Sequence, residues 1–185
     1  METFLLCTAA LANLTSLHPP AVPLLLSSSL LPALLVHPAA SSSSPYIQDQ
    51  VITLVANMAR LAPAREQLVA AGALPLLLDI LATSQPGTEP ALVQAGERTL
   101  SKAALALARL CKEASTADLA VKMGATSTLA GVVARERGET VALAVVAAVR
   151  VLSCRRENSL MLGEDSLRLR EDSLWLEEGR TESFV

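Results

Sequence analysis

Internal repetition constrains this chain more than any other feature. Four apolar stretches, TAALANLTSL, ITLVANMARL, AALALARLCK and VVAAVRVLSC, each carry a polar residue near the end. Aligned on Asn13, Asn57, Arg109 and Arg150, they recur in steps of 44, 52 and 41 residues. A second landmark moves with the first: LVAAGALPLLLDIL around Gly72 resembles LAVKMGATSTLAGVV around Gly124, again 52 residues on. Upstream, SLLPALL (29–35) aligns with ALPLLLD (73–79) through Leu31 and Leu74, a step of 43. Repeats of this length are supersecondary units whose apolar faces are buried only by stacking on neighbours.

Composition decides what the units are made of. The chain of 185 residues is 51% apolar but only 2% aromatic, so its apolar mass is Leu, Ala and Val. Ala and Leu head the helix-propensity ranking, whereas strands favour aromatic and β-branched side chains. The expected class is all-α. A net charge of -3 with a single Trp and a single Tyr offers neither the attraction nor the stacking platforms that nucleic acid requires. Cys7, Cys111 and Cys154 are scattered and form no C-x-x-C, which fits reduced, partly buried thiols of an intracellular protein rather than a disulfide framework or a zinc site.

Two stretches imitate membrane signals. METFLLCTAALANLT has Glu2 where a signal peptide carries a basic n-region. PLLLSSSLLPALLV (23–36) falls short of the ~20 residues of a bilayer span, and Pro32 and three serines interrupt it. Both read as buried helices of the repeat array, so no membrane span is expected.

Catalytic sets are not found. His18 and His37 stand in LHPP and VHPA, beside prolines at helix ends, where histidine is structural or solvent-facing. No Walker A, G-x-S-x-G or H-E-x-x-H pattern occurs. The pairs Glu164-Asp165 and Glu171-Asp172 lie in a charged segment with no apolar pocket to separate their pKa values. No enzyme activity, metal or cofactor is expected.

The landmarks divide the chain into a half unit (1–17), three units (18–61, 62–113 and 114–155), a degenerate charged cap (156–178) and a flexible tail (179–185). Gly72 and Gly124 suit sharp turns that need a positive φ. Arg65-Glu66 precede Gly72 as Arg156-Glu157 precede Gly163, after which the run EDSLRLREDSLWLEEG turns charged. A terminal repeat keeps one face wet in this way; the alternative is a disordered tail with a seven-residue duplication. QPGTEPALVQAG (85–96), with Pro86, Gly87, Pro90 and Gly96, predicts a loop inserted before the long helix of its unit. AASSSSP (39–45) predicts a shorter loop at the same place one unit earlier.

A period in the forties, a Gly-Ala pair opening a helix, and a long last helix with ANL or ARL near its end resemble armadillo repeats, with HEAT repeats as near neighbours. The resemblance covers most of residues 1–178 and implies a right-handed α-solenoid of about three full repeats with a half unit at each end. It also implies a concave face, lined by the third helices, on which asparagines clamp the main chain of extended peptides. Asn13 and Asn57 match those asparagines, while Arg109 and Arg150 take the next two places. Arginine offers a fork of donors suited to carboxylates, so an acidic groove peptide is expected. Residues 2–17 resemble a third helix without its two predecessors, which suggests a portion of a longer armadillo protein.

The end of the chain, Glu182-Ser183-Phe184-Val185, fits the S/T-x-Φ-carboxylate pattern of a ligand for PDZ domains of the first class. Such a peptide adds a strand to the domain's sheet edge, a backbone nest captures its carboxylate, and Ser183 and Val185 point inward together. Armadillo units followed by a cap and ESFV resemble the C-terminal part of Inscuteable-type polarity adaptors. The resemblance implies docking on a PDZ-containing polarity scaffold of the partitioning-defective (Bazooka) type, and a role in spindle orientation during asymmetric cell division. It implies a cytoplasmic protein recruited to the cell cortex. The segment by which that family engages Partner of Inscuteable has no counterpart in this sequence. The rival expectations are a groove-only peptide receptor of transport or chaperone type, and an unstable truncated fragment.

Overall fold

The computed structural model describes residues 2–28, 30–37, 44–83, 89–135 and 138–153. The charged cap, the tail, Cys154 and Gly163 lie outside the described residues. Ten helices are found among them: α1 (Glu2–Leu17), α2 (Ala21–Leu26), α3 (Leu30–Leu35), α4 (Pro45–Met58), α5 (Ala62–Ala70), α6 (Ala73–Thr83), α7 (Pro90–Leu110), α8 (Ala114–Lys122), α9 (Ala125–Ala134) and α10 (Glu139–Ser153). After α1 the order is short, short, long, three times over.

The boundaries follow from local chemistry. Pro45, Pro63 and Pro90 sit in the first turns of α4, α5 and α7, where a missing N–H leaves no carbonyl unanswered and the fixed φ suits a helix. Gly72, between α5 and α6, has φ 93°, and Gly124, between α8 and α9, has φ 83°. The two landmark glycines thus make the same left-handed turn, which a side chain with a Cβ resists. The stretch 85–96 is not a loop throughout: Pro90 opens α7, and Gly96 is a buried residue inside it. Residues 90–96 therefore extend the long helix to 21 residues. Proline at a first turn and glycine in a helix with ample neighbours are both tolerated, so their reading as loop markers fails there.

Packing repeats along with order. Helix α4 lies against α1 on one side and α7 on the other, α6 packs on α9, and α2 on α5. Third helices thus stack on third helices, second on second and first on first, the arrangement of a repeat-type α-solenoid. One core runs through the stack: Val51, Ile52 and Met58 from α4, Leu68 from α5, Leu74, Leu77 and Ile80 from α6, Leu107 from α7 and Leu129 from α9 have essentially no exposed surface. Each such side chain contributes roughly 1.5–3 kcal/mol by leaving water. Helix α10 joins through Val141, Val145, Ala148 and Leu152.

A paired substitution tests the backbone argument. Gly72→Ala has open space around the added methyl, yet it should lower unfolding free energy by about 1–2 kcal/mol, because the conformation itself is strained. Gly96→Ala, also with nothing within 4 Å, should raise it by roughly 0.5–1 kcal/mol by helix propensity. Urea unfolding followed by circular dichroism reads both, and equal signs would refute the assignment.

Candidate functional site

The solvent side of the third helices repeats position by position. On α4 and the turn after it, Tyr46, Gln50, Thr53, Asn57 and Arg60 are exposed or half-buried. Fifty-two residues on, Arg98, Lys102, Leu105, Arg109 and Lys112 do the same on α7. Spacings of four and three residues keep such a set on one face of a helix. The equivalent stripe on α10 includes Glu139, Leu143, Val146 and Arg150, all exposed. On α1, Asn13 is exposed at the corresponding place.

The four ladder residues divide into an inner and an outer pair. Asn57 Nδ2 donates to the Ala12 carbonyl at 3.0 Å and to Thr15 Oγ1 at 3.3 Å. Arg109 Nη1 donates to the Ala56 carbonyl at 2.7 Å. In both cases the acceptor is the residue just before the ladder position on the preceding third helix, so the two side chains tie successive units together. Both donors of the Asn57 amide are thereby engaged within the protein. Asn13 and Arg150 are the exposed outer members of the row. Burial pushes the pKa of the Arg109 guanidinium down, and the positive charge of Arg60 adds to the effect.

Other ties were not legible as such in the sequence. The last carbonyls of a helix lack intrahelical donors. At the end of α4, Ala56 is served by Arg109, while the Ala59 carbonyl accepts from Arg65 Nε at 3.1 Å. Arg65, which appeared in the sequence as a landmark, also pairs with Glu113, the residue preceding α8, at 2.8 Å. Arg135 closes α6 in the same manner, donating to the carbonyls of Leu81 (2.9 Å) and Ala82 (3.0 Å). Lys102 bridges from α7 to Asp49 on α4 at 2.7 Å and to Thr53 at 2.8 Å. For Arg109 and Arg135 the available signal was position: a cation 53 residues after a carbonyl near a helix C-terminus.

Two further features complete the surface. Phe4 of α1 stacks on His37, with ring centroids 4.5 Å apart, which gives that histidine a packing role. Beside them lies an open apolar hollow of about 500 Å³ between α1 and α3, lined by Cys7, Leu11, Ala33 and Leu34 among others. Among the described residues no group of three His, Cys, Asp or Glu side chains could hold a metal ion, and no single helix is long and apolar enough to cross a membrane. The proposed tail ligand, Glu182 to Val185, lies outside the described residues.

The inner ladder residues should therefore matter without any ligand. Asn57→Ala and Arg109→Ala are each expected to destabilise the ligand-free chain by roughly 1–2 kcal/mol, since each removes a hydrogen-bonded tie between successive third helices. Asn13→Ala and Arg150→Ala should stay within about 0.5 kcal/mol. Thermal and urea unfolding of the four variants distinguish the pairs.

Comparison with known proteins gives the family of the chain. A family described as "Protein inscuteable C-terminal" matches over residues 1–185. The "Protein inscuteable homolog" of Mus musculus is 33% identical over 158 residues, covering 82% of this chain and 27% of that protein. The "Protein inscuteable homolog" of Homo sapiens is 33% identical over 160 residues, with the same coverage of each. The chain thus spans about a quarter of the length of these relatives. No solved structure matches it significantly. With its full length matched by the family and a third of the aligned residues shared with two mammalian relatives, the chain belongs to the inscuteable C-terminal family.

Proposed function

We propose that this chain is a non-catalytic adaptor that docks a PDZ-domain polarity scaffold through Glu182-Ser183-Phe184-Val185 and holds a second peptide on its third-helix face. The observation that carries the reading is the terminal sequence, a full match to the first-class PDZ ligand pattern, in a chain of the inscuteable family. In the bound state Val185 fills the apolar pocket, its carboxylate is held by backbone N–H groups, and the Ser183 hydroxyl meets a pocket acceptor. The scaffold is of the partitioning-defective (Bazooka) type. The adaptor acts in the cytoplasm and at the cortex, in spindle orientation during asymmetric cell division.

The body that presents the tail is an armadillo-type right-handed solenoid. Its half unit is 1–17, its units are 18–61, 62–113 and 114–155, and a charged cap at 156–178 precedes the tail at 179–185. The three-helix order in each unit supports this class over two-helix HEAT units. Binding of Partner of Inscuteable is not assigned to these residues. The groove-only alternative keeps the third-helix face and gives the tail no role.

Binding of the full chain to the isolated PDZ domains of such a scaffold, followed by fluorescence anisotropy, tests the tail. Deleting Val185, or appending one glycine after it, should weaken binding at least about tenfold, because the carboxylate nest is then misplaced. Phosphate on Ser183 should abolish binding, since a dianion of about −1.5 to −2 charge replaces a small hydroxyl in the pocket. Unchanged affinity in the deletion variant leaves the groove-only reading standing.

A further inference from the structure

We propose that the outward side of α1 is a contact surface for a second copy of this chain, the two α1 helices pairing antiparallel about a two-fold axis at Ala10.

Helix α1 packs on α4 through small side chains. Its fully buried residues are Thr8, Ala12 and Thr15, with Phe4, Leu5 and Leu11 half-buried beside them. The hydroxyls of Thr8 and Thr15 turn back onto α1 itself, donating to the carbonyls of Phe4 and Leu11 at 2.9 Å. The other side of the helix is apolar yet open. Thr3, Cys7, Ala10, Leu14 and Leu17 are all exposed, in the alternating spacing of four and three that draws a seam along a helix. Leu6 adjoins that seam, and Leu6, Leu14 and Leu17 are 63%, 43% and 85% exposed. Forty-four residues on, the equivalent positions of α4 are Ile47, Val51, Leu54 and Met58, and all four are buried. The fold covers this side of a third helix on α4 and leaves it uncovered on α1.

Charge selects the occupant. The stretch 3–48 contains no Asp, Glu, Lys or Arg, although the chain has 15 Lys and Arg and 18 Asp and Glu. A surface at a two-fold axis meets its own image, so a charge there would face a like charge. This surface has none to oppose the pairing. A helix that lies on lipid carries Lys or Arg on its polar side, and α1 has neither.

Shape agrees with charge. The hollow of about 500 Å³ between α1 and α3 opens beside Cys7 and Ala10, at the edge of the seam. Antiparallel pairing about Ala10 sets Ala10 against Ala10, Leu6 against Leu14 and Thr3 against Leu17 of the other copy. The small residue at the centre lets the helices approach closely, and Leu14 of each copy comes over the hollow of the other. One patch thus holds both a projection and the recess that takes it, which is what an isologous contact needs. Parallel pairing would align the helix dipoles and set Glu2 beside its image. The antiparallel pair opposes the dipoles and holds the two Glu2 residues roughly 24 Å apart along the axis.

Sedimentation velocity of the 185-residue chain under reducing conditions, from about 2 to 200 μM, tests the pairing. The apparent mass should double as concentration rises. Ala10→Glu and Ala10→Lys, at an exposed position, should each weaken self-association at least about tenfold, with circular dichroism reporting unchanged helix content. An equimolar mixture of the two variants should recover the pair, because opposite charges then meet at the axis. A chain that stays monomeric throughout overturns the proposal, and so does a dimer that Ala10→Glu leaves as strong. Two weakened variants that fail to rescue each other overturn the self-pairing at Ala10. A monomeric chain that floats with neutral phosphatidylcholine vesicles, and no longer does so as Leu6→Glu, overturns it in favour of lipid.

Discussion

Burial of α4 between α1 and α7 is the constraint on which the rest of the structure depends. Nine of the fourteen residues of α4 are buried, more than one helix face can hide against a single neighbour. The helix therefore has to be covered from both sides, and that requirement sets the stacking direction. Once α1 and α7 cover it, the shorter helices follow: α5 and α6 supply Leu68, Leu74 and Leu77 to the core beneath, and α9 extends the same layer through Leu129. Beyond Pro45 at its start, the stripe through Tyr46, Gln50, Thr53 and Asn57, continued by Arg60 in the turn, stays accessible. The accessible third-helix face is what stacking leaves over.

The same stacking creates an electrostatic demand. Each helix ends with carbonyls that lack donors and with the negative end of its dipole. Side chains from the next unit answer it: Asn57 reaches the end region of α1, Arg109 reaches α4, and Arg135 reaches α6. A cation is better suited to this task than an amide where the carbonyl is at the helix end, as at Ala56. That accounts for arginine at the third ladder place in terms of folding alone. It also leaves positive charge on the third-helix face, because the half-buried guanidinium stays near Arg60.

How much of this could be read from the sequence depends on the kind of information. The all-α class and the left-handed turns at Gly72 and Gly124 were legible, because periodic apolar residues and special backbone positions are local signals. Gly96 and Pro90 misled for the opposite reason. Their helix is held by burial of Ala95, Thr99 and Leu100, a tertiary effect that overrides propensity. The ladder positions were legible as positions but not as roles. Whether Asn57 points at a ligand or at Ala12 depends on where α1 lies, and no pattern within α4 encodes that. Arg65 shows the same limit: its spacing from Gly72 marked it, but its pairing with Glu113 spans 48 residues.

Asparagine and arginine at one repeated position thus serve a single structural task with different consequences for the surface. An amide tied at Asn57 presents no net charge to the groove, whereas a guanidinium tied at Arg109 presents one with donors remaining. With its five N–H groups in a fixed fork, arginine satisfies a carbonyl on one side and still faces solvent on the other. Arginine rather than asparagine at position 109 therefore keeps the tie to the preceding third helix while adding positive charge to that face. The charge of the third-helix face is thus set at a joint between two units, where the side chain is anchored by the fold rather than left mobile.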